Sequence, residues 1–262
     1  MKKILLPILA ISLFSCAGEK TQETKKEDKT AESKTAENAK VSASNEVEDI
    51  DIEDTYPMFD ASTIKPFDLA KLDQGFDIKG TPTFAITWDD RRGTNILINS
   101  EDFEEELEGE ERKSLRYYSK HFLQNADIMP LVLTQDFVED CQVDITLGDK
   151  MDPILTDLDK DGIAEVTVVI TKGCRGGMDE LDLKVLMHEE ETKYALRGLE
   201  YYVYTDQDAP DDSFEYDLSK LPKGSEMDKR GRYEDAYSFK SAPKEFLEHA
   251  VKLWKENVIV KF

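Results

Sequence analysis

Asp157-Leu158-Asp159-Lys160-Asp161-Gly162-Ile163-Ala164-Glu165 runs directly into Val166-Thr167-Val168-Val169-Ile170. Aspartates alternate, a glycine follows, and a glutamate closes the loop. The run after it is rich in β-branched residues, whose stiff side chains pack well on a pleated surface, so it reads as a strand. Working outward, residues 83–88 and 94–99 are short β-type runs around Asp89-Asp90-Arg91-Arg92-Gly93 and read as a hairpin, with Gly93 able to take positive φ. Residues 131–137, 183–187 and 193–196 read as further strands, with Gly, Asp and Glu at their joints. Residues 115–123, with Tyr117, Tyr118, His121 and Phe122, fit a helix or a strand equally. The acidic residues 100–109 fit a short helix or a loop, and 211–231 a long loop. In 242–258, Phe246, Ala250, Leu253 and Trp254 recur at i, i+4, i+7 and i+8, one face of a helix. Ser241 stands as its cap and Pro243 in its first turn. The expected class is α+β: mainly an antiparallel β meander with a C-terminal amphipathic helix.

The loop also carries chemistry. Oxygen ligands at alternate positions suit a hard cation such as calcium. Asp157, Asp159 and Asp161 can set carboxylates on one side of a tight turn, the carbonyl of Ile163 adds a ligand, and Glu165 completes the shell. An EF-hand would need a bidentate Glu at its twelfth position, where Val168 stands, and helices on both sides. The loop more closely resembles the short calcium loops of integrin-type FG-GAP repeats, which also precede a strand. No second copy is found, which argues against a propeller. The competing reading is a polar turn, since Asp bonds its own backbone and Gly accepts positive φ.

At the amino terminus Lys2 and Lys3 precede an apolar stretch from Ile4 to Phe14, too short to span a bilayer, that ends in Leu13-Phe14-Ser15-Cys16. This resembles the bacterial lipobox. It implies cleavage of a signal peptide over residues 1–15 and a membrane partner through diacylglycerol and palmitate on Cys16, because the thioether forms on sulfur. Several acyl chains anchor stably where one does not. The alternative is an ordinary secretory signal with a chance cysteine. Residues 16–55 are Glu, Lys, Thr, Ala, Ser and Asn with few large apolar side chains, a composition that cannot offset its ordering entropy. They read as a disordered, lipidated tether, and 56–262 as a single folded domain. The expected location is the outer membrane, facing the periplasm or the cell surface. With Cys16 lipidated, Cys141 and Cys174 are an even pair in an oxidising compartment and are expected to form a disulfide. The alternative is two separate thiols, one of them catalytic.

The net charge of −23 repels nucleic acid and anionic headgroups and favours divalent cations or basic partners. His121, His188 and His249 lie far apart in sequence without zinc spacing, and His188-Glu189-Glu190-Glu191 is most simply a hairpin tip. No G-x-S-x-G elbow or Walker loop is present, and Arg175-Gly176-Gly177 is a flexible turn. With 57 acidic residues, carboxylate pairs of the glycosidase kind are unavoidable, and none can be singled out.

Asp136-Phe137-Val138-Glu139-Asp140-Cys141, then 156–166, Cys174, Lys184 and Lys193-Tyr194-Ala195-Leu196-Arg197-Gly198 form one pattern. It resembles a Bacteroidetes lipoprotein family named for surface polysaccharide biosynthesis. The resemblance spans roughly residues 80–200, and the C-terminal helix more loosely. Where that family has an Asp-x-Ser-Pro turn, Arg175-Gly176-Gly177-Met178-Asp179-Glu180 stands here. The resemblance implies a role in assembling or displaying surface glycan, beside the glycan or its assembly proteins, and supplies no catalytic residues. The other expectations are a calcium-dependent binding or adhesion module and a glycan-processing hydrolase.

Overall fold

Alternation of apolar and polar side chains builds two sheets. The computed structural model describes residues 56–72, 75–106, 111–205, 208–222 and 229–261. The signal, Cys16 and the tether lie outside them. The first sheet is an antiparallel meander in the order β1 (Lys65–Pro66), β2 (Thr81–Asp90), β3 (Gly93–Glu106), β4 (Arg112–Gln124) and β5 (Ile128–Cys141). The second runs β10 (Thr192–Leu199), β9 (Asp182–Glu189), β8 (Glu165–Arg175), β6 (Asp144–Asp149), with β7 (Ile154–Thr156) also on β8. A short parallel pair, β11 (Tyr201–Val203) and β12 (Ile259–Lys261), sets the chain end beside the end of β10. The helix α1 covers Lys244–Asn257. The described residues are thus mostly antiparallel β with one C-terminal α-helix.

The sheets stack through period-2 faces. Val166, Val168 and Ile170 of β8 point at the first sheet, where they meet Trp88, Leu97 and Tyr117. Val169, with Leu183, Val185 and Met187 of β9, points the other way, against Phe246, Ala250, Leu253 and Trp254 of α1. A strand buried on both faces reads as the continuous apolar run seen in the sequence. The far face of the first sheet, Ile96, Ile98 and Phe122, is closed by Phe67, Leu72, Phe76 and Ile78 from the segment before β2. Full burial of a side chain, as at Ile96, Ile98 and Phe122, contributes roughly 1.5–3 kcal/mol.

Several local expectations change. Residues 100–106 are neither helix nor loop but the continuation of β3. Three of their five acids lie opposite cations across the ladder: Asp102 faces Arg116, Glu105 faces Lys113 and Glu106 faces Arg112. Opposite charges on facing strands stabilise the pairing that the sequence alone would not suggest. Residues 115–123, which fit a helix or a strand in the sequence, belong to strand β4, being paired with β3 on one side and β5 on the other. In α1 the cap is Pro243, with no side-chain capping bond, and Ser241 lies too early to reach the first free amides. At the hairpin tip only Glu190 and Glu191 turn; His188 and Glu189 are the end of β9. Gly198 is required by close approach, because an added Cβ would lie 1.9 Å from the Arg232 carbonyl oxygen.

Candidate functional site

The acidic loop spans the gap between β7 and β8. Its backbone reverses through Lys160 at φ 66° and Gly162 at φ 89°. Gly162 suits this turn because its positive φ is strained for any residue with a Cβ. The loop is pinned from outside: the Gly162 carbonyl accepts from Phe59 N at 3.1 Å and Arg91 N at 3.0 Å. Arg91 Nη1 also donates to the Asp161 carbonyl at 3.2 Å, and Ala164 N to Asp90 Oδ2 at 3.2 Å. The hairpin turn after β2 therefore holds the loop in place.

Inside the loop, carboxylates converge. Oxygens of Asp157, Asp159 and Glu165 lie within 4.8 Å of one another, and so do those of Asp159, Asp161 and Glu189. This cluster of oxygen donors can hold a metal ion. Asp161 belongs to the second group rather than to the first, and its Oδ1 accepts from the Ile163 N–H at 2.8 Å. Turn bonding is present as well. Gly162 N donates to Asp157 Oδ1 at 3.4 Å, and buried Glu165 accepts from Leu158 N at 2.9 Å and Thr156 Oγ1 at 2.7 Å. Glu189 escaped the sequence reading. It lies one step beyond the Val166–His188 pair on neighbouring strands, a position that only strand register reveals. Its Oε1 is buried without a hydrogen-bond partner. Burial, followed by the charges of Asp159, Asp161, Glu165 and Asp157, pushes its carboxyl up to about 7. Burial also raises Asp159 and Glu165. Packing these carboxylates together costs free energy that a cation would offset.

Two further polar groups line the space between the sheets. His121 Nδ1 and His188 Nε2 are 2.9 Å apart, and His121 Nε2 is 3.0 Å from Asn95 Oδ1. The histidines are only 2% and 6% exposed. They lie far apart in the sequence, so local spacing gave no signal of the pair. Near the open edge, Asp136 accepts from Lys172 Nζ at 2.8 Å and from Lys184 Nζ. Burial would raise its carboxyl, but the two ammonium groups and the Phe137 N–H hold it below the usual range. Cys141 and Cys174 are joined in a disulfide, which removes the free-thiol alternative. No helix among the described residues is long and apolar enough to cross a membrane. Neither a family model, nor a curated protein, nor a solved structure matches this chain.

Proposed function

We propose that this is a lipid-anchored outer-membrane protein, without catalysis of its own, that supports assembly or display of surface polysaccharide. The observation that carries this reading is the convergence of the residues that form the sequence pattern. Asp136 pairs with Lys184, Cys141 bonds Cys174, and Lys193 donates to the Leu133 carbonyl at 2.6 Å. Arg197 lines the same cleft as Asp136, Lys184 and Lys193. The non-catalytic part is supported, among the described residues, by Cys141 being bonded to Cys174 and by the burial of His121 and His188 between the sheets. Deleting the gene is expected to change the amount or length of surface glycan, measured on isolated cells. Wild-type glycan in the deletion strain would overturn the role.

A second reading, calcium-dependent binding through Asp157, Asp159, Asp161, Ile163 and Glu165, is favoured by the unpartnered Glu189 oxygen beside the cluster. Thermal unfolding with calcium and with chelator tests it. A ligand at about 100 times its Kd stabilises by roughly 2.7 kcal/mol, an easily measured rise in Tm. Asp159 belongs to both carboxylate groups, so Asp159→Ala is expected to abolish the calcium-dependent rise. Equal Tm values with millimolar calcium and with chelator would leave the loop a structural turn.

A further inference from the structure

In a chain of 57 acidic and 34 basic residues, one cleft has a charged lining that is mainly cationic. It lies between β5 and β10, the edge strands of the two sheets, and has a volume of about 440 Å³. That is within the size range of small-ligand sites. Lys184, Lys193 and Arg197 line it against a single carboxylate, Asp136. Asp136 is already neutralised by Lys172 and Lys184, so the cleft keeps a positive excess. Lys193 Nζ bonds the Leu133 backbone carbonyl and not a carboxylate, and Arg197 makes no ion pair among the described residues. In a protein so rich in carboxylates, a guanidinium without one is a group left open for an anion from outside.

The remaining lining gives the anion a class. Leu186 supplies apolar surface, and Thr134 and Gln135 supply polar atoms. A pyranose ring needs both, because its faces are apolar and its rim is hydroxyl. The cationic lining also continues. A neighbouring cavity of about 180 Å³ shares Lys184 and Arg197 and adds Lys229 and Arg232 beside two carboxylates, Asp182 and Glu234. Two adjoining cavities fit successive units of a chain better than one compact ion.

We infer that the cleft between β5 and β10 binds an acidic oligosaccharide, with Lys193 and Arg197 holding the carboxylates of its uronic-acid units. The inference rests on the polysaccharide role proposed above and names the ligand class of that role. Lys193 and Arg197 are exposed, so reversing their charge is not expected to disturb the core.

The test is titration of the detergent-solubilised full chain with oligogalacturonate, with a neutral galactose oligomer of equal length, and with inorganic phosphate. Oligogalacturonate is expected to bind and the neutral oligomer not to bind. Added salt should weaken the interaction, and Lys193→Glu or Arg197→Glu should weaken it roughly tenfold or more. A matched reversal on the exposed face of α1, Lys252→Glu, should leave affinity unchanged, and circular dichroism should show all variants folded. Equal affinity of the Arg197→Glu variant, or equal binding of the neutral oligomer, would overturn the site. Phosphate binding as tightly as the oligosaccharide would reduce it to an anion site and overturn the glycan assignment. The deletion strain separates the two levels. Altered glycan with no oligogalacturonate binding sinks this inference alone. Binding through Arg197 with unaltered glycan keeps the site and sinks the cellular role.

Discussion

Replacing Cys141 and Cys174 together by alanine is expected to lower the unfolding free energy by about 4 kcal/mol. The pair closes a loop with a sequence separation of 33, and releasing that loop restores conformational entropy to the unfolded chain. The tie also has a place in the native architecture. Cys141 ends β5 at the edge of the first sheet, and Cys174 lies near the end of β8 in the second. One covalent bond therefore fastens the two sheets, and the loop it closes contains β6, β7 and the acidic turn. Denaturant unfolding of the double variant and of the wild type, with and without reductant, measures the effect. A midpoint unmoved by either change would mean that sheet packing alone sets the stability.

The second large effect is acid sensitivity. Asn95 Nδ2 donates to the Gly93 carbonyl at 3.0 Å, which fixes Asn95 Oδ1 as an acceptor. His121 Nε2 must then donate to it, leaving Nδ1 to accept from His188 Nε2. Both rings are neutral, and an added proton would set two N–H groups against each other. Burial, with the other ring's charge second, holds His121 well below the usual histidine range. Burial, with Lys193 second, lowers His188 to about 3. A histidine depressed in the folded state contributes stability that is present above its unfolded pKa, near 6.5, and is lost as pH falls toward the folded value. Between pH 7 and pH 4 the loss from His188 amounts to roughly 3 kcal/mol. Glu189 and Asp149, raised to about 7 and about 6, work in the opposite sense, because the folded state takes up their protons first. The measurement is therefore a difference in slope. His188→Gln keeps a donor for His121 but cannot charge, so its unfolding free energy should fall less on acidification than that of the wild type. Parallel pH profiles for the two proteins would show that the pair carries no proton-linked stability.

Much of the architecture was legible because its causes are local. A β-branched run buried on both faces announces a central strand, as β8 does, and the i, i+4, i+7, i+8 spacing of Phe246, Ala250, Leu253 and Trp254 announces a helix face. The exceptions also have local reasons. Residues 100–106 look too acidic for a strand until Arg112, Lys113 and Arg116 are set opposite them. β6 and β7 are short pieces on β8, with too little length for an alternation to stand out.

Site residues divide along the same line. The carboxylates of the acidic loop lie within nine positions of one another, so a single local turn brings Asp157, Asp159 and Glu165 together. The sequence by itself therefore determined the strand-rich class, the C-terminal helix, the acidic turn and the pairing of the last two cysteines. Tertiary structure decided everything that depends on register and on which faces meet. It placed Glu189 beside the loop, His121 against His188, and Asp136, Lys184, Lys193 and Arg197 around one cleft. Those residues are brought together by hydrogen-bond ladders and sheet stacking, so no local pattern of hydrophobicity or charge records their meeting.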